Sequence, residues 1–507
     1  MNDTAKTTAF LTFSVALLGT ALWASIPRTS SVDDFRDLGQ SFFPEFSDPA
    51  LCTSLEIFEL DPSTAQTREF AVKQRDGRWI IPSHSNYPAD AKDRLAETAA
   101  RVIGLTKDTI RSSRSEDHAI LGVLDPRDAK IADVDGAGKR VTLRDSSDRV
   151  LADYILGKLI PNQPGKRYVR RPGQVRTYGV NVVVEPSTRF ADWIEANLLD
   201  LQGSSVLRAT FDNNRWDPDF RRVSGVPEFT VSREADGAPW TTPGLAPSEE
   251  VDPVKTSAML QALSDLKIVG VRRKPKVLSE ILVNPQGQRA DRETLLSLNA
   301  YGFRITQGGH IAPDEGSVII DCADGISYSL RFGRVTFARG EALSAGSAED
   351  QAKSERPDKP AEPKKTAPGD EGAVESRFLF VTAAFDPRIT PPPTDSTAAP
   401  AAGTLPKEAF RRSAAELKAA TNRERAAVQE WRERIETGQA RAETLTKRFA
   451  PWYFVVPGAG YRSILLDRGS LVRPKAPPGQ PAMGNRPRGP GMNRPLDPHA
   501  IPPIPNR

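Results

Sequence analysis

From Leu51 onward the apolar positions switch repeatedly between a two-residue period and a helical one. SLEIFEL (54–60) alternates apolar and polar residues as a half-buried strand does, and TREFAVKQ (67–74) follows it. Asp76-Gly77 then turns the chain and RWIIP returns it, because glycine accepts positive φ without a Cβ clash. Trp79 is expected on the buried face of that sheet. PADAKDRLAETAARVIGL reads as a helix opened by Pro88 and Asp90, with Leu95, Ala99, Val102 and Ile103 as its apolar stripe. ILGVLDP (120–126), a strand pair KIADVDGAGKRVTLRD around Asp135-Gly136, and YILGKLI come next. KRYVRRPGQVRTYGV predicts a hairpin at Pro172-Gly173, and FADWIEANLLDL a short helix with Trp193, Ile194 and Leu198 on one side.

The order then restarts. SVLRATFDN (205–213) takes the place of the first strand, and PEFTVSREADGAPWTTP that of REFAVKQRDGRWIIP. VDPVKTSAMLQALSDLKIVGVRR supplies the helix, with Asp252 as N-cap and Pro253 in the first turn. AYGFRI stands for ILGVLD, SVIIDCADGISYSLRFGRVTF repeats strand, turn, strand and Gly, and SRFLFVTAAF stands for the Pro172-Gly173 segment. The pattern predicts an α+β fold of two tandem β-rich units. They cover 51–203 and 204–338, the second completed by 376–385 and 451–468. Trp79 and Trp240 should then hold equivalent places, each packed towards its own unit's helix.

The C-terminal part departs from this rhythm. Residues 339–375 are rich in Ala, Pro, Lys, Glu and Ser and predict a disordered loop. Residues 386–406 form a Pro-rich linker, and the Pro/Gly/Arg-rich tail at 469–507 is also expected to be disordered. Between them, 407–450 reads as one long helix. Phe410, Ala414, Leu417, Val428, Trp431, Ile435, Ala442, Leu445 and Phe449 follow a 4-3 alternation, with Thr421, Glu424 and Gly438 as weak points in the seam. A helix lying on its own domain is the preferred reading, and a coiled-coil surface the alternative.

Ahead of the first unit, in the segment 1–28, an uncharged run of 20 residues begins at Thr7 and ends at Ile26. At ~1.5 Å per residue it matches the ~30 Å of bilayer hydrocarbon. Trp23 suits the interface, and Pro27-Arg28 stops the run. An uncleaved single-pass anchor is preferred to a signal peptide, since cutting after Ala24 puts Leu22 where a small residue is wanted. A buried core helix is the third reading. Lys6 precedes the run and Arg28 and Arg36 follow it, so charge hardly fixes orientation. Six leading residues favour a cytoplasmic N-terminus, with the bulk of the chain outside the cytoplasm. The lipid bilayer is thus the first expected partner, and membrane or envelope proteins the second.

Composition narrows the classes. The 507 residues carry 38% apolar side chains and 43 Pro, which fits ordered units diluted by polar segments. A net charge of +4 without a clustered basic stripe argues against nucleic acid. Two Cys and four His exclude a disulfide scaffold or a Cys-rich zinc site. Cys52 and Cys322 fall one per unit; two buried free thiols are preferred to a pair.

The search for chemistry returns turns. DGAGKR (135–140) and PGAGYRS (457–463) lack the P-loop pattern and read as hairpin turns. His84, flanked by Ser83 and Ser85, sits in no nucleophile elbow, and His118 reads as a helix-end residue. Asp133 and Asp135 lack the rest of a calcium loop, and Asp321 and Asp324 are a carboxylate pair of unassigned geometry. No catalytic, cofactor-binding or metal-ligating residue is assigned, and no cofactor.

The apolar N-terminal run, Asp-Gly-x-Trp, YPAD before a helix, the LGVLDP step and RYVRRPGQVRTYGV together resemble the domain of unknown function 4340 family, best from the anchor to about Asp200. The resemblance implies fold more than chemistry. It also implies an auxiliary component beside gliding-type ABC transporters, which here would need a partner to supply the ATPase. The expectation is a membrane-anchored, non-catalytic binding or scaffold protein. The alternative is an extracytoplasmic hydrolase whose site the sequence does not reveal.

Overall fold

The computed structural model describes residues 37–475, apart from 62–64, 132, 183–184, 196, 218–221, 226–227, 285–288, 307, 339–342, 346–373 and 394–406. The expected anchor at 7–26, most of the 339–375 loop, much of the Pro-rich linker and the tail beyond 475 lie outside the described residues. No helix among the described residues is long and apolar enough to cross a membrane.

The fold is α+β, built on large antiparallel sheets. The first holds β1 (Ser54–Leu60), β2 (Thr67–Arg75), β3 (Arg78–Ile81), β4 (Tyr87–Pro88), β5 (Thr109–Ser112), β6 (Lys139–Arg144), β7 (Val150–Leu159), β8 (Lys166–Arg170) and β9 (Thr177–Asn181). Their spatial order is β4-β3-β2-β1-β6-β7-β8-β9-β5. Helix α1 (Lys92–Ile103) links β4 to β5 and buries Leu95, Ala99 and Val102. The short α2 (His118–Leu121) precedes β6.

The later strands are β10 (Val206–Asp217), β11 (Arg222–Ser224), β12 (Phe229–Ser232), β13 (Glu249–Val251), β14 (Gly270–Arg273), β15 (Phe303–Ile305), β16 (Ile311–Pro313), β17 (Glu315–Cys322), β18 (Ile326–Ala338), β19 (Val374–Phe385), β20 (Trp452–Pro457) and β21 (Val472–Pro474). The helices are α3 (Pro253–Ser264), α4 (Lys276–Val283), α5 (Arg292–Ala300), α6 (Lys407–Phe449), α7 (Gly458–Ile464) and α8 (Arg468–Leu471).

The second large sheet runs β11-β10-β17-β18-β19-β20-β14, with β12 also on β10. Its order repeats the first: β10 lies as β1 does, β12 as β2, β17 as β6, β18 as β7, β19 as β8, β20 as β9 and β14 as β5. Helices α1 and α3 fall at the same point in the order, each before the edge strand. The repetition extends to a bulge. Register slips between Leu156 and Leu159 on β7, and between Phe332 and Val335 on β18. Gly157 and Gly333 sit in these slips, as glycine at a bulge commonly does.

The two hairpins differ in their return. Asp76 (φ 51) and Gly77 (φ 73) make the tight turn between β2 and β3. After β12 the chain turns through Gly237 (φ 76) and comes back only by the single bridge of Ser232 with Thr241. Pro239, with no N–H to give, breaks the ladder there. Trp79 and Trp240 are both partly buried and pack against the main core.

One core runs through both sheets. Trp193 is fully buried in it, and Tyr87 meets Trp452 edge-on at 4.9 Å. The Leu198 amide donates to Leu266 O at 3.2 Å. A second cluster, including Leu278, Leu298, Phe378, Phe380 and Tyr453, lies on the opposite face of the second sheet. Phe378 and Phe380 therefore point one way from β19, while Leu379 and Val381 enter the main core. A strand buried on both faces reads as a continuous apolar run.

Four local readings need correction. FADWIEANLLDL forms a single 3-10 turn, Phe190–Trp193, because Trp193 is drawn into the core and its indole N–H donates to Ser187 O. KIADVDGAGKRVTLRD is not a strand pair turning at Asp135-Gly136: among the described residues only Lys139–Arg144 of it is a strand, and Asp133 caps the turn ahead of it through the Gly136 amide. PGAGYRS is not a hairpin turn but lies in α7, which packs on α3. The 339–375 loop ends early, since β19 begins at Val374, paired with Ala338.

Candidate functional site

The second sheet departs from the first between its edge strand β14 and β17. In the first sheet the matching connection is shorter, with a 3-10 turn at Ser115–Asp117 and the four-residue α2 among the described residues. Here it carries α4, α5 and the β15–β16 pair. The apolar residues of α4 and α5, Leu278 and Leu298, cover the outer face of β19 and β20. Between the two helices, β14 and Pro451 opens a cleft of about 1170 Å³. That exceeds the ~300–1,000 Å³ usual for small-ligand pockets.

Lys274 follows β14 directly and forms the deepest cationic point. It is 2% exposed. Its amine lies 3.7 Å from the ring centre of Phe380 and 5.4 Å from that of Tyr453, and donates to Phe449 O at 3.2 Å. Burial, then the positive Arg331, holds its pKa well below the ordinary lysine range. Arg331 is itself lowered by burial and donates to Thr382 Oγ1 at 3.1 Å. Ser297 and Tyr453 share a hydrogen bond of 3.1 Å between their hydroxyls. Burial raises the pKa of that phenol, so it stays protonated. The cleft mouth is charged: Arg273 stacks on Trp452 at 4.6 Å, Lys276 faces Glu280 at 3.8 Å, and Arg292 and Glu293 lie opposite. Val283, Leu296 and Tyr301 in the lining, with a mixed, mainly cationic rim, suit a ligand with an apolar body and a negative group.

The residues weighed in the sequence are scattered. Ser83 Oγ and His84 Nδ1 lie 2.9 Å apart, but His84 is 3% exposed and stacked on Phe190 at 4.3 Å. Burial, helped by the positive Arg272, pushes its pKa down to about 4, too low for a general base. His118 Nε2 donates to Val175 O at 2.7 Å. Asp321 accepts from the Ser327 hydroxyl at 2.7 Å, whereas Asp324 pairs with Arg441 at 2.8 Å. Asp133 caps its own turn through the Gly136 amide. Cys52 and Cys322 are free and buried, their pKa values pushed up by burial to about 11 and about 12. Among the described residues no cluster of three His, Cys, Asp or Glu side chains could hold a metal ion.

The sequence reading missed the cleft. Lys274 sits in RRKPK, which reads as a solvated basic run. The usable signal lay elsewhere, in the unbroken apolar runs FLFV and WYFVV, which mark strands covered on both faces.

No curated protein and no solved structure matches the chain. Residues 79–285, from Trp79 in β3 to just beyond α4, match the family described as Domain of unknown function (DUF4340), which supports placing the chain in that family.

Proposed function

We propose that the chain is a non-catalytic binding or scaffold protein, anchored to a membrane through the run from Thr7 to Ile26, that serves as an auxiliary part of an ABC-type transport or envelope complex. The cleft between α4 and α5 is its ligand or partner seat. One observation carries this reading: two sheets of the same order share a core, and only one has gained the helices that build a cleft. The shared core gives a rigid platform, and the added helices give that platform one specialised face. The deep groups fit binding better than turnover, since the Ser297 hydroxyl is bonded to a protonated phenol rather than to a base.

The test uses full-length protein extracted from membranes in mild detergent, cross-linked and analysed by mass spectrometry. The expected result is a reproducible set of membrane partners, reduced by Arg273→Glu with Arg292→Glu. Recovery of the protein alone, or in the soluble fraction after lysis, overturns the reading.

A further inference from the structure

Asp37 is fixed beside one turn of the first sheet. It accepts from the Tyr178 hydroxyl, and Lys107 and Arg176 face it at 3.8 and 3.4 Å. The Gly39 amide donates to Lys107 O and the Phe42 amide to Leu105 O, while the Phe42 ring meets Tyr178 edge-on at 5.3 Å. Residues 37–43 are thereby held between β9 and the segment that leads from α1 to β5.

The turn from β8 to β9, residues 171–176, lies alongside. Arg171 stacks on Phe43 at 5.4 Å, and Arg176 is the residue paired with Asp37. Buried polar groups hold this turn. The Arg170 guanidinium donates to Val123 O at 2.7 Å and to Gln174 O at 2.9 Å, and His118 holds Val175 O at 2.7 Å. What the held turn presents to solvent is apolar. Val175 is 47% exposed. Ile120, two residues beyond His118 in α2, is 74% exposed, the most of any large apolar residue among the described residues. Arg171 pairs with no carboxylate among the described residues.

Eleven residues lead from Ile26, the end of the apolar run, to Asp37. Fully extended they reach at most ~40 Å, so Asp37 stays within that distance of a bilayer that the run crosses. A face held on so short a lead meets the lipid at high effective concentration, and modest contacts suffice. Exposed apolar side chains beside an arginine are what such a contact uses. The apolar groups enter the boundary of headgroup and acyl chain, and the guanidinium stays level with the phosphates.

We propose that the β8–β9 turn, with Ile120 beside it, lies on the lipid bilayer, Val175 and Ile120 entering the headgroup region and Arg171 facing headgroup phosphates. The proposal rests on the anchor reading of 7–26 and goes beyond it by assigning the face of the first sheet that meets lipid. It uses none of the cleft residues.

The test uses full-length protein in vesicles of equal parts phosphatidylcholine and phosphatidylglycerol that carry a headgroup nitroxide as quencher. A fluorophore is attached through Val175→Cys or Ile120→Cys; Cys52 and Cys322 are buried and do not compete. Val254→Cys and Ile319→Cys place the same label on exposed apolar sites of the second unit. The expected result is quenching at least twofold stronger at 175 and 120 than at 254 and 319. Arg171→Glu should remove at least half of the quenching at 175. Equal quenching at all four sites, in protein that a carbonate wash leaves in the vesicles, overturns the proposal and leaves the anchor reading in place. Release of the protein by that wash overturns the anchor reading, and the proposal with it.

Discussion

Gly157 and Gly333 occupy the same place in two different sheets. Each sits where a long strand slips register against the next one. Each also lies under a backbone carbonyl, that of Leu121 in the first case and Tyr301 in the second, where a Cβ would collide. The residues after those carbonyls, Gly122 (φ 69) and Gly302 (φ 84), are both left-handed.

Gly157→Ala and Gly333→Ala should therefore both destabilise, by ~1–3 kcal/mol as overpacking does. Gly333→Ala should cost more, because a Cβ there would come closer to Tyr301 O than the 2.6 Å at which one on Gly157 would meet Leu121 O, while both sites also meet a side chain. Thermal denaturation by circular dichroism measures both, and an unchanged Tm for either variant would remove the close approach as a constraint.

His84 gives a pH prediction. Its folded pKa of about 4 lies below the ordinary 6.5. The folded state thus resists protonation, and the stabilisation is complete above ~6.5 and lost as pH falls towards 4. A shift of that size is on the order of 3 kcal/mol. Urea denaturation between pH 7 and 4 should show the loss, and His84→Phe, which keeps a ring against Phe190, should flatten that part of the curve.

Lys274 is expected to cost stability rather than supply it. Lys274→Met keeps the stem and removes the amine, and exchanging buried charge for matched apolar volume is often neutral or stabilising by ~1–4 kcal/mol. The folded pKa is depressed, so the cost to the wild type is greatest at low pH and fades as pH rises through the ordinary lysine value of ~10.4. Chemical denaturation of both proteins at pH 7 and pH 10 reads this directly: the gap should narrow at the higher pH.

Trp79→Ala and Trp240→Ala should both destabilise, by less than the ~3–5 kcal/mol of a fully buried Trp, since both rings are partly exposed. Trp79 lies in the ladder opposite Gln74, whereas Trp240 is held beside a single bridge with Arg233 stacked on it at 5.1 Å. The Trp79 change should be the larger of the two by thermal melting.

What was legible in the sequence follows from how local each cause is. Asp76-Gly77 announces its turn because the turn depends on those two residues alone. Asp252 announces α3 because it caps the Val254 amide itself. The failures are tertiary. Phe190 to Trp193 has helical spacing, yet the pull of the core on Trp193 breaks it after one turn. The α7 segment, Gly-rich and turn-like, becomes helical because it packs on α3. The cleft was illegible for the same reason, since Lys274 meets Phe380 and Tyr453 only once β14, β19 and β20 are neighbours.

The contact of Tyr87 with Trp452 also sets a schedule for biosynthesis. The chain is made from its N-terminus, so the first sheet is complete about 270 residues before Trp452 exists. At ~5–20 residues per second that interval is on the order of 14–54 s. For that time Tyr87 has Phe190 beside it but not Trp452, and a nascent or truncated chain ending near residue 203 presents the uncovered side to any chaperone or neighbouring chain within reach.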